Sequence, residues 1–228
     1  MKDQYAELDN PAWSALTSQH QEFAVGGSLA KRYRPDIVSF TAFAEPSAAA
    51  TASLDPFMKT GEHFFIIGDL PPLPAGWEVK NELVCLQMVY GSSAQNPTSS
   101  GIQPLEEKHA QEMYDLVQLV QPGYYLLGTH RMGHYYGIRQ EGQLVAIAGE
   151  RMRTDRFTEL SAICTHPDFT GRKYAQQLIT HLVNSNLDAG KIPFLHVSEK
   201  NERAIGLYEH MGFATRRKIS FRLTTKLK

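Results

Sequence analysis

The chain has 228 residues, 23 Lys and Arg against 24 Asp and Glu, a formal net charge of -1 and a hydrophobic fraction of 42%. That length fits one large domain or two small ones, and the apolar content excludes a globally disordered chain. The balanced charge argues against a protein that is basic overall, as many nucleic-acid binders are. The balance conceals an asymmetry. Residues 170–228 hold 11 basic and 4 acidic side chains, a net of +7, whereas residues 1–169 hold 12 basic and 20 acidic, a net of -8. The basic quarter directs attention to an anionic partner.

The first residues, MKDQYAELDNPAW, have neither an apolar core nor a small-residue cleavage site, so no signal peptide is expected. The longest apolar runs, such as Phe64-Phe65-Ile66-Ile67, are too short to cross a membrane. Cys85 and Cys164 are the only cysteines, which suggests a reducing compartment and rules out a four-cysteine metal site. A soluble, cytoplasmic protein is the expectation. Asn10 reads as the cap of a short helix opened by Pro11. Residues 37–43, 63–68 and 82–90 read as strands, being short, β-branched and aromatic with turn-rich flanks. The stretch 91–101, GSSAQNPTSSG, has no apolar period and reads as a linker or long loop. It suggests two units, an α/β region over 1–98 and a second over 99–228.

In the second unit, 105–120 has the apolar spacing of a helix. Residues 135–139 and 144–150 form a hairpin around Gly142, and 159–165 is a further strand. A helix over 174–187, a strand over 194–197, a helix capped by Asn201 and stopped at Gly212, and a strand over 219–224 complete the order. The fold class is α/β of the α+β type. It has a mixed, mostly antiparallel central sheet with helices on both faces.

The chemistry is concentrated in two segments. In ELSAICTHPDFTGRKYA, residues 159–175, a strand leads through a glycine-containing loop into a helix. Unpaired N–H groups and the helix dipole at such a junction favour an anion, and Arg172 and Lys173 add formal charge. In NERAIGLYEHMGF, residues 201–213, Asn201 and Tyr208 are two helical turns apart and share a face. Tyr208 there is either a core aromatic or a general acid.

Taken together, the two segments resemble the GNAT superfamily of acyl-CoA-dependent N-acyltransferases. The family loop, Arg/Gln-x-x-Gly-x-Gly/Ala, corresponds to the stretch Thr170, Gly171, Arg172, Lys173, Tyr174, Ala175. It departs from the family at Thr170, where Arg or Gln is usual, and at Lys173, where Gly is usual. The later signature, Asn-x-x-Ala-x-x-Leu-Tyr-x-x-x-Gly-Phe, is matched by Asn201, Ala204, Leu207, Tyr208, Gly212 and Phe213. The resemblance covers roughly residues 100–228. The whole chain looks like a bacterial-type subgroup of predicted acetyltransferases with an extra N-terminal half. That half would be a degenerate copy of the fold or a lid over the acceptor.

The resemblance implies acetyl-CoA as cosubstrate, with its acyl group held where the strands 159–165 and 194–197 splay apart. The backbone of Ile163, Cys164 and Thr165 would hold the pantetheine, and an N–H near Ile163 or Cys164 would polarise the carbonyl. Thr170 and the N–H groups of Gly171 to Ala175, with Arg172 and Lys173, would hold the pyrophosphate. Asn201 would bind the pantetheine arm and Tyr208 would protonate the departing thiolate. Glu159 is the candidate base, with Glu150 as runner-up and a water chain as the third choice. Acetyl transfer to a primary amine of a small molecule or peptide is the expected reaction. The alternatives are a non-catalytic CoA-binding regulatory module and transfer of a longer acyl group. No metal is expected: His130 and His134, four apart between Gly128 and Gly133, read as loop histidines. Nucleic acid and membrane are disfavoured as partners, and a monomer or homodimer is expected.

Overall fold

The computed structural model describes residues 4–91 and 100–227. Most of the expected 91–101 linker, residues 92–99, and the boundary at 98/99 lie outside the described residues. The described strands form one sheet. Before the loop come β1 (Ala24–Gly26), β2 (Ala30–Tyr33), β3 (Phe40–Phe43), β4 (His63–Ile67) and β5 (Trp77–Tyr90). After it come β6 (Ile102–Leu105), β7 (Tyr135–Gln140), β8 (Gln143–Arg153), β9 (Phe157–Thr165), β10 (Ile192–Ser198) and β11 (Phe213–Lys226). Their spatial order is β1-β2-β3-β4-β11-β5-β10-β9-β8-β7-β6. Only the β3/β4 and β9/β10 pairs are parallel. The sheet is therefore mixed and mostly antiparallel, as expected.

One strand crosses the sequence division. β5 precedes the loop, yet it lies between β10 and β11, which both follow it. It pairs with β11 from Phe213 opposite Tyr90 to Lys226 opposite Trp77. Residues 77–90 thus complete the C-terminal part of the sheet, and the two sequence regions share one continuous ladder.

The helices are α1 (Pro11–Leu16), α2 (Ala48–Leu54), α3 (Ala110–Val120), α4 (Tyr174–Asp188) and α5 (Glu202–His210). Asn10 Oδ1 accepts from the Trp13 N–H at 3.4 Å and caps α1. α2 was not expected; a short Ala-rich run carries little periodic signal, and here Ser47 caps it through the Ala50 N–H. The β7–β8 turn has two residues, Glu141 and Gly142, at φ 50° and 84°. This is the doubly left-handed turn that follows the twist of a hairpin.

One face of the sheet packs α4 through Leu178, Ile179, Leu182 and Val183 against Val145, Leu160 and Leu195. Burying each such side chain stabilises by about 1.5–3 kcal/mol. The opposite face carries two clusters. α3 brings Met113, Leu116 and Val117 against Tyr135, Ile147 and Cys164. Alongside, Leu16, Tyr33 and Phe40 from the first 43 residues cover Phe157, Phe194 and Phe221. The N-terminal region is thereby packed across the back of β9, β10 and β11.

Candidate active site

The sheet opens at one place. β9 and β10 run parallel for three rungs, ending with Phe194 opposite Glu159. Beyond that rung, residues 160–165 and 195–198 share no ladder. β10 stays bound on its other side to β5, from Phe194 opposite Val89 to Ser198 opposite Cys85. β9 is bent by a bulge: Ser161 to Cys164 spans only Gly149 to Ile147 on β8, and Ala162 lies at φ 51°. An extra residue in one strand bends it and interrupts pairing, so β9 leaves β10 while β10 stays in place.

A cavity of about 340 Å³ fills this opening. It is lined from both faces of the sheet. On the α4/α5 face stand Leu160, Ile163, Val197, Asn201 and Tyr208; on the other stand Leu83, Cys85, Tyr124, Tyr125, Arg151 and Phe221. The cavity therefore passes through the sheet, with no Asp or Glu among its lining residues.

Asn201 and Tyr208 meet at this cavity, as their spacing implies. Asn201 Oδ1 caps α5 by accepting from the Ala204 N–H at 3.2 Å. Tyr208 packs on Phe213, with ring centroids 6.1 Å apart. Its hydroxyl has no hydrogen bond to a described residue, and burial pushes its pKa up to about 12. The phenol thus stays protonated at neutral pH, with its proton uncommitted.

The 166–175 loop builds the junction before α4. His166 Nδ1 accepts from the Asp168 N–H at 3.3 Å, and Thr170 Oγ1 donates to the Pro167 carbonyl at 3.1 Å. Lys173 occupies the cap position at φ 61°, ψ 21°, and no side chain caps the N–H groups of the first turn. The usual glycine position therefore keeps its left-handed backbone with a lysine in it, at a cost of about 1–2 kcal/mol. Arg172 lies over the Phe169 ring at 5.0 Å. Among the described residues neither Arg172 nor Lys173 forms a salt bridge. Of the strand residues expected at the pantetheine, Ile163 lines the cavity, while Cys164 and Thr165 do not.

Glu159 is not at the cavity surface. Its side chain is 0% exposed. Arg151 donates to it from Nε at 2.9 Å and from Nη2 at 2.6 Å, and the Met152 N–H and His196 Nδ1 donate at 3.2 and 2.7 Å. Burial alone would raise its pKa, but the Arg151 guanidinium outweighs that and holds it well below the usual range. A carboxylate so committed is a poor proton acceptor, which weighs against Glu159 as the base. Glu150 is likewise buried. It accepts from His134 Nδ1 and the His134 N–H, each at 3.0 Å, and from Asn186 Nδ2 at 2.9 Å. Burial opposes its ionisation, yet the His134 hydrogen bond keeps its pKa low and raises that of His134.

Glu159 belongs to a buried network that its sequence neighbours do not announce. Gln87 Nε2 donates to the Leu8 carbonyl at 2.9 Å, which fixes the amide's orientation. The same nitrogen faces His196 Nε2 at 3.2 Å. His196 Nε2 is therefore the acceptor and Nδ1 carries the proton given to Glu159. Arg216 Nη1 donates to Gln87 Oε1 at 2.9 Å. Arg216, Gln87, His196, Glu159 and Arg151 thus contribute one side chain each from β11, β5, β10, β9 and β8, five successive strands. The chain of bonds crosses beneath the point where the β9/β10 ladder ends and replaces the lost backbone pairing there. Charged residues inside apolar strands were the available signal, since such groups are buried only when paired.

His130 lies in a short 3-10 turn, and no group of metal-ligating side chains occurs among the described residues. Tyr124 and Tyr125 line the cavity; Tyr135 packs beside Tyr125, and Tyr136 against His181. Cys164 is buried, and burial pushes its thiol up to about 12, so it stays protonated at neutral pH. Five basic residues of β11 are paired within the chain. Arg216 and Arg217 reach Asp9, Lys218 reaches Glu199, Arg222 reaches Glu82 and Lys226 reaches Asp55. Among the described residues no helix is long and apolar enough to cross a membrane.

A sheet opened between two parallel strands, with a glycine loop before one helix and an Asn and Tyr on the next, is the arrangement of an acyltransferase-type fold. The comparisons agree. Residues 135–222 match the family model described as FR47-like protein. A GNAT-family protein from Novosphingobium aromaticivorans is 32% identical, with 96% of this chain and 98% of that one covered and a TM-score of 0.88. A GCN5-related N-acetyltransferase-like protein from Streptococcus suis shares the fold at 11% identity and a TM-score of 0.57, covering 93% of each chain. A GCN5-related N-acetyltransferase from Kribbella flavida does so at 13% identity and 0.55, covering 93% and 95%. No match was found among curated proteins. The chain belongs to the GNAT family of acetyltransferases.

Proposed function

We propose that the protein transfers an acetyl group from acetyl-CoA to a primary amine by direct attack on the thioester. The observation that carries this reading is the cavity through the β9/β10 opening, with Asn201 and Tyr208 on one side and a largely aromatic chamber holding Arg151 on the other. Two substrates can approach one carbon atom from opposite faces of the sheet, so the reaction gains from proximity without a covalent enzyme intermediate.

In this reading the pyrophosphate binds the free N–H groups from Gly171 to Ala175, with Thr170, Arg172 and Lys173 around it. The pantetheine runs along Ile163, Cys164 and Thr165 and meets Asn201. An N–H at the bulge, near Ile163 or Cys164, polarises the carbonyl oxygen. The amine nitrogen forms its bond to the carbonyl carbon as the carbon–sulfur bond breaks. Tyr208 gives its hydroxyl proton to the sulfur, and the proton shed by the nitrogen restores it through water. Glu159 acts as a positioning residue: it holds Arg151 and His196 under the opening.

Calorimetry with acetyl-CoA and CoA, followed by thiol release with a panel of primary amines, tests the reading. Binding together with amine-dependent release supports it. Absence of binding at millimolar acetyl-CoA rejects it, and binding without turnover across the panel favours a CoA-binding regulatory module. Comparing acyl-chain lengths at fixed amine separates acetyl from longer-chain transfer.

A further inference from the structure

On the face away from Tyr208, the cavity wall is largely apolar and aromatic, with Leu83, Val117, Tyr124, Tyr125 and Phe221, and the uncharged polar side chains of Gln121 and Thr129 beside them. Arg151 is the single Lys, Arg, Asp or Glu side chain in the lining. Its side chain is 11% exposed. Nε and Nη2 are taken by Glu159, and the guanidinium carbon stands 4.9 Å from the Phe40 ring centroid and 5.9 Å from that of Phe221. Nη1 has no hydrogen bond to a described residue. One edge of the fork is thus locked and stacked, and the donor left over belongs to a group that faces the cavity.

Resting on the acetyl-transfer reading, we propose that Arg151 determines acceptor specificity, and that the acceptor is an amine that also carries a carboxylate on an apolar or aromatic body. The guanidinium is the side chain best shaped to hold a carboxylate oxygen, and its orientation is set before the ligand arrives. Charge balance selects the same class. Arg151 and Glu159 cancel, so a zwitterionic amino acid adds no net charge to the buried site. A bare ammonium or a polycation would bring unpaired positive charge into a cavity lined by no carboxylate, which is costly. The apolar wall then receives the rest of the acceptor.

The test compares matched probes on the CoA-saturated protein. Leucine, phenylalanine and tryptophan are titrated calorimetrically beside the amines that lack only the carboxylate: isoamylamine, phenethylamine and tryptamine. At least one amino acid is expected to bind 10-fold or more tighter than its amine. Arg151→Lys, which keeps the charge beside Glu159 but loses the planar fork, should bring that ratio close to one. Since this variant could misfold, the comparison on the unaltered protein stands alone: equal affinities, tighter binding of the amines, or no binding of any amino acid overturns the proposal. Acetyl-CoA binding and turnover with the amines in that case leaves acetyl transfer intact and removes only the role of Arg151. Failure of acetyl-CoA to bind removes both.

Discussion

Phe194 and Glu159 form the last rung of the parallel ladder between β10 and β9, and the Glu159 carboxylate reaches back to His196 at 2.7 Å, two residues beyond that rung. The two strands are tied by side chains where their backbones separate. The opening is therefore a held aperture. Its width depends on the buried Arg151–Glu159–His196–Gln87 chain and on the bulge at Ala162.

Removing one member should be expensive. Glu159→Gln leaves the Arg151 guanidinium buried without its counter-charge, and breaking such a pair costs about 3–5 kcal/mol. Urea unfolding should show a lower midpoint at unchanged slope. A change below about 1 kcal/mol would mean that solvent or another group compensates Arg151, and the network would lose its structural role.

Acid should act through the same residues. Glu159 and Glu150 both have folded-state pKa values below their ordinary range. Such groups stabilise the fold fully above their unfolded pKa of about 4.3 and lose that contribution as pH falls toward the folded value. Stability measured from pH 7 to 3 should stay level in this respect down to about pH 5 and then drop. The Glu159→Gln protein should show a shallower drop; an identical slope would assign acid sensitivity elsewhere.

Tyr208→Phe should lower kcat by about 10–1000-fold with little change in CoA affinity, the range expected for a lost general acid. Because burial holds the phenol at about 12, its proton is present throughout the usual assay range. The rate should rise with pH as the amine loses its proton and show no descending limb from Tyr208 below about pH 10. A descending limb near pH 8 that Tyr208→Phe abolishes would contradict the assignment of its pKa.

Lys173→Gly separates strain from charge. The left-handed backbone at Lys173 suits glycine, so thermal or urea unfolding should show a gain of about 1 kcal/mol. Loss of the cation should weaken CoA binding by about 2–5-fold in calorimetry, in line with one exposed ion pair. If affinity is unchanged, Lys173 points away from the phosphates.

Much of this was legible in the chain. Apolar periodicity located α4, and motif spacing brought Asn201 and Tyr208 to one face; the helix geometry is local, so no distant contact was needed. The Gly171 loop was legible for the same reason. Glu159 was visible as a residue but not as a role, because its side-chain partners Arg151 and His196 come from two other strands. The charge split was visible too, but its meaning was not. Part of the +7 answers carboxylates from residues 1–169, at Asp9, Asp55 and Glu82.

By itself, then, the sequence determined the local devices: a helix start that offers free N–H groups, a helix that presents Asn201 and Tyr208, and a hairpin turn at Gly142. Only the tertiary structure decided that β5, from the far side of the loop, lies between β10 and β11. It also decided that the first 43 residues pack on β9, β10 and β11 through Phe157, Phe194 and Phe221, on the face opposite α4. Strand order is set by pairings between residues more than a hundred positions apart, and neither apolar period nor motif spacing encodes those. The Arg151 side of the cavity is built from such pairings, whereas the Tyr208 side is built from β9, β10 and α5.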